Sequence, residues 1–76
     1  GLDLVVLKSV DGIMKGNIPM EQVTTPMTCG ELDPGFIRFV LDHGVKTLII
    51  NGRRIERIQA LLRGEQVEGT RIGTTF

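Results

Sequence analysis

Two short apolar runs constrain this chain more than any other feature. Leu2–Leu7 reads Leu-Asp-Leu-Val-Val-Leu, and Val45–Ile50 reads Val-Lys-Thr-Leu-Ile-Ile. Each is strand length and far short of the roughly 18 residues of a membrane span. Side chains that are apolar on both faces mark strands buried in a parallel sheet. Each run ends in a polar turn that contains glycine, Ser9-Val10-Asp11-Gly12 and Asn51-Gly52-Arg53-Arg54.

A helix is predicted between the runs. Asp33 is a capping acceptor and Pro34 suits the first helical position. Phe36, Ile37, Val40 and Leu41 then recur at helical spacing, and Gly44 supplies the stop. A second amphipathic helix is predicted over Arg53–Arg63, with Ile55, Ile58, Leu61 and Leu62 inward and Gly64 as its stop. Val67–Phe76 carries Thr70, Ile72, Thr74 and Thr75, enough for a short terminal strand. From Met14 to Glu31 no period holds, and Pro19 and Pro26 push their neighbours out of helix. Met20–Val23 has room for one helical turn.

The order is β-loop-α-β-α-β, which implies an α/β fold with mostly parallel strands and right-handed crossovers. A parallel sheet needs cover on both faces, and two short helices are thin cover. The chain has 76 residues, ten of them glycine, with three Phe and no Trp or Tyr. We expect residues 1–76 to be one partial domain, a fragment of a larger sheet.

Nine basic and nine acidic residues balance, which argues against a nucleic-acid binder or a polybasic membrane anchor. The single cysteine, Cys29, excludes a disulfide framework and a four-thiolate zinc site. A cytoplasmic location without a membrane partner is the expectation.

In open α/β sheets ligands bind outside the carboxyl ends of the strands. Both glycine turns lie there. Asn51, Gly52 and Arg53 are candidate anion contacts, because a helix N-terminus offers amides beside guanidinium groups. The ordinary role of such residues favours the alternative, in which Asn51 simply caps the helix and both arginines are solvated. Ser9–Gly12 reads as a backbone shelf for a nucleotide base or ribose, or as a plain turn. Neither the P-loop nor the dinucleotide glycine fingerprint occurs. His43, in the last turn of its helix, has no second soft ligand at metal spacing, so no metal site is expected. Cys29 reads as a bystander thiol, and Met14, Met20 and Met27 as gap fillers.

Laid end to end, these segments resemble the C-terminal third of the amino-acid-kinase superfamily, which includes acetylglutamate kinase, glutamate 5-kinase and uridylate kinase. Leu4–Ile13 is similar to that family's strand and TDVDGV loop, and Ile18–Val23 to the short element that follows. Glu31-Leu32-Asp33-Pro34 resembles its next helix opening, and Gly44–Arg53 its NGR strand. Ala60–Ile72 resembles its closing segment.

The resemblance implies a three-layer αβα sandwich whose C-terminal part binds ATP, with Mg2+ in the parent kinase. It implies that Ser9, Val10, Asp11 and Gly12 line the nucleotide pocket and that Met14 meets the adenine, where the family often has an aromatic residue. The γ-phosphoryl group would pass to a small carboxylate or phosphate acceptor. A nucleotide-binding storage or regulatory module, like the molybdenum storage branch, is the alternative. No lysine lies between Lys15 and Lys46, where acetylglutamate-type members place one for the transferred phosphate. That moves the resemblance toward uridylate-kinase-like members. Catalytic residues would lie upstream or on a companion chain, so the chain alone is expected to be inactive. Homo-oligomers are usual in the family.

Overall fold

The computed structural model describes residues 2–27, 30, 32–33 and 35–74. Its strands are β1 (Leu4–Lys8), β2 (Met14–Lys15), β3 (Ile18–Pro19), β4 (Gln22–Val23), β5 (Thr47–Asn51) and β6 (Thr70–Ile72). Its helices are α1 (Phe36–Asp42) and α2 (Ile55–Leu62). The main sheet has the order β1-β5-β6-β4, and β2 and β3 form a separate hairpin. β1 runs parallel to β5, with Leu4 opposite Thr47 and Lys8 opposite Asn51. β6 runs antiparallel to β5 and parallel to β4. The molecule is therefore mixed α/β with a mostly parallel sheet.

β5 is the centre of the fold, and its five residues are all buried. Its side chains alternate between faces. On one face Ile49 joins Ile13, Val23 and Ile72 in a core closed by Ile37 and Val40 of α1. Leu48 and Ile50, which alternate to the opposite face, are fully buried as well.

Several expectations need correction. β1 is an edge strand, and Leu4, Val5 and Leu7 are exposed rather than buried on both faces. Residues 20–23 make no helical turn. Gln22 and Val23 instead pair with Arg71 and Ile72, because Arg71 N–H donates to Glu21 O and Gly73 N–H to Val23 O. α1 starts at Phe36 after a left-handed Gly35 (φ 87°), with no side-chain cap. Asp33 uses its carbonyl, not its side chain, to accept from Phe36 N–H at 3.1 Å. The predicted roles of Pro34, Cys29 and Glu31 fall outside the described residues.

Gly44 (φ 66°) and Gly64 (φ 77°) do follow the two helices in the left-handed conformation that stops them. His43 is the C-cap of α1; its Nδ1 lies 2.8 Å from Phe39 O and its ring stacks on Phe39 at 4.2 Å. α2 departs most from its pattern, since none of its residues is buried. Ile55 and Leu62 are 67% and 82% exposed, and Ile58 and Leu61 are half-buried. No described helix is long and apolar enough to cross a membrane.

Candidate functional site

Parallel pairing of β1 with β5 brings the two glycine turns to one end of the sheet. Lys8 and Asn51 are partners in the last rung, and Gly52 N–H donates to Lys8 O at 2.8 Å. Gly52 passes so close to β1 that a Cβ there would stand 3.0 Å from Leu7 Cβ.

Beyond this rung, side chains tie the loops together. Asn51 Nδ2 donates to Asp11 Oδ1 at 3.2 Å, while Asn51 Oδ1 accepts from Arg53 N–H at 2.9 Å. Asn51 therefore shapes the turn before α2 and also holds the loop after β1. The cap position itself is Arg54, without a side-chain hydrogen bond. Arg57, one turn into α2, donates from Nη1 to Asp11 Oδ1 at 2.6 Å and from Nη2 to Glu68 Oε2 at 3.0 Å. The hydrogen bond from Arg57, then the one from Asn51, holds the Asp11 carboxyl below its ordinary value. At neutral pH Asp11 is an ionised acceptor and not a proton donor.

A second anchor lies behind the loop. Thr70 Oγ1 accepts from Ile13 N–H at 2.8 Å and donates to Met20 O. Gly12 lies against this hydroxyl with φ +150°, and an added Cβ would come 2.5 Å from Thr70 Oγ1. The position thus needs glycine for both its conformation and its space. Met20 N–H donates back to Ile13 O at 2.8 Å, which closes the segment that contains the β2–β3 hairpin.

Of the residues singled out from sequence, Asp11, Gly12, Asn51 and Gly52 converge. Ser9 and Arg53 are exposed at the same end, and Val10 is half-buried. Met14 lies in β2 opposite Pro19, beyond the buried Ile13. Arg57, Glu68 and the clamping role of Thr70 were not anticipated. Arg57 left one signal: a cation beside Ile58 and one turn before Leu61 interrupts the apolar side of α2 and needs a carboxylate partner.

The arrangement offers an oriented carboxylate, an exposed serine and the exposed cations Arg53 and Arg54. The amides of Ile55 and Glu56 remain without a described acceptor at the start of α2. It does not fit a resident Mg2+. Asp11 is engaged by Arg57 and Asn51, and among the described residues no three of His, Cys, Asp and Glu converge. Among the described residues, hollows lie elsewhere: beside Val40, Leu41 and Lys46, between Glu21–Gln22 and Gln66–Gly69, and by Met27, Gly35 and Arg38. No protein-family model, curated protein or solved structure matches the chain.

Proposed function

We propose that the chain is the nucleotide-binding portion of a kinase-type αβα sandwich, which holds ATP at the carboxyl ends of β1 and β5. The observation that supports this most is the hydrogen bond from Asn51 to Asp11, which joins two loops 40 residues apart at the sheet end where α/β folds take ligands. In this reading Ser9, Val10, Asp11 and Gly12 form the shelf for the nucleoside, with Asp11 accepting from a ribose hydroxyl or base amine. Met14 stands next along the chain toward the adenine. The phosphates extend toward Asn51, Gly52 and Arg53, where guanidinium groups and free amides favour an anion.

Phosphoryl transfer depends on positioning and charge stabilisation around the transferred group. The proposed site supplies the nucleoside end and part of the anion contact. The acceptor site would come from a companion chain or further sequence, so ATP is bound without turnover by the isolated chain. Any Mg2+ would arrive on the ATP phosphates rather than on a protein site.

Calorimetric titration with ATP tests the reading. Binding that Arg53→Ala weakens, together with no phosphate transfer to small carboxylate or phosphate acceptors, is the expected result. No binding, or robust turnover by the chain alone, contradicts it.

A further inference from the structure

The two oxygens of Asp11 are used unequally. Arg57 Nη1 donates to Oδ1 at 2.6 Å, and Asn51 Nδ2 donates to the same oxygen at 3.2 Å. A carboxylate oxygen has two lone pairs, so Oδ1 is filled. No described residue donates to Oδ2, and the Asp11 side chain is 36% exposed. Arginine often meets a carboxylate differently, because its planar fork matches both oxygens at once. Here the second arm of the fork is taken. Arg57 Nη2 donates to Glu68 Oε2 at 3.0 Å.

We propose that Glu68 is a positioning residue of the nucleotide site: by holding Nη2 it stops Arg57 from closing on both oxygens of Asp11, and so keeps Oδ2 open to a neutral donor of the nucleoside. This inference rests on the nucleotide reading above and names a residue that acts through two others without touching the ligand. The backbone fixes Glu68 for the task. It stands two residues before Thr70, whose hydroxyl accepts from Ile13 N–H, and Ile13 stands two residues after Asp11. The segment before β6 therefore grips the loop after β1 twice, directly through Thr70 and through Arg57 from Glu68.

Stability alone gives Glu68 little to do. Its side chain is 61% exposed, and exposed ion pairs contribute little to folding. What it changes is where the guanidinium points. Without Glu68, Nη2 is free to turn onto Oδ2, and the ligand would then have to displace a charged hydrogen bond to reach that oxygen. The donor that Oδ2 awaits is a ribose hydroxyl or the exocyclic amine of the base, since each carries a hydrogen that an ionised carboxylate accepts.

Calorimetric titration of wild type and Glu68→Ala with ATP and with inorganic triphosphate tests this. Removing a carboxylate makes the chain more positive, so charge alone would tighten the binding of both anions. The expected result for ATP is the opposite. Glu68→Ala should bind ATP about tenfold more weakly, the equivalent of one charged hydrogen bond, and triphosphate no more weakly than wild type does. Glu68→Gln keeps an oxygen acceptor for Nη2 and should restore most of the ATP affinity. Two analogues identify the donor. The effect of Glu68→Ala should vanish with 2′,3′-dideoxy-ATP if the ribose donates, and with purine riboside triphosphate, which lacks the amine, if the base does. Equal weakening of ATP and triphosphate, no weakening of ATP, or an effect that survives in both analogues overturns the inference and leaves nucleotide binding standing. A wild-type chain that binds no ATP overturns the nucleotide reading, and this inference with it.

Discussion

Asp11 links the loop after β1 to α2, because a single oxygen accepts from both Arg57 and Asn51. Its folded pKa lies below the unfolded value of 3.8. The linkage therefore stabilises the fold at any pH above that value, and the stabilisation is lost as pH falls through the lower folded value. Urea unfolding should show Asp11→Asn less stable than wild type at neutral pH, with the difference shrinking toward zero well below 3.8. A difference that persists in acid would mean that the substitution acts through packing. Thr70 makes a sharper case, since its buried hydroxyl serves Ile13 N–H and Met20 O together. Thr70→Val orphans both groups and should cost about 2–3 kcal/mol, whereas Thr70→Ser should retain most of the stability. Denaturant midpoints of the two variants check this. These partnerships were hard to read from sequence. Asp11-Gly12 shows a turn, but Thr70 lies 57 residues from Ile13, and nothing local to either residue joins them.

The two helices show what periodicity can and cannot predict. α1 and α2 both carry apolar residues at helical spacing, and both stop at the expected glycine. Ile37 and Val40 reach the core; α2 buries no residue completely. An amphipathic pattern says which side of a helix can be covered, not whether anything covers it. Ile37→Ala should therefore cost about 3 kcal/mol, and Leu62→Gln should stay within about 0.5 kcal/mol of wild type. Thermal or urea unfolding separates these outcomes, and a large loss from Leu62→Gln would mean that α2 is covered in solution. Strands followed similar limits. β5 was legible because an apolar run suits a central strand. β4 was not, since two residues beside prolines carry no period and exist as a strand only through β6. α1 began later than Asp33-Pro34 suggested because a left-handed Gly35 intervenes.

At the scale of the molecule, the Cα envelope measures 29 × 27 × 16 Å, a slab with β5 at its centre. Order along the chain was sufficient to predict a mostly parallel α/β sheet and to place both glycine turns at one end of it. It did not predict the antiparallel β6, because the tail was too short to show its direction. Nor did it show that β1, the most apolar segment near the start, would form an edge. The proposed nucleotide site lies at the end where β1 and β5 finish together. The most direct test is an amide NMR titration of the isotopically labelled chain with ATP. Saturable shifts are expected at Ser9–Gly12 and Asn51–Glu56, and the same shifts should be reduced in Asp11→Asn. Shifts confined to another part of the chain, or none at saturating ATP, would contradict that site.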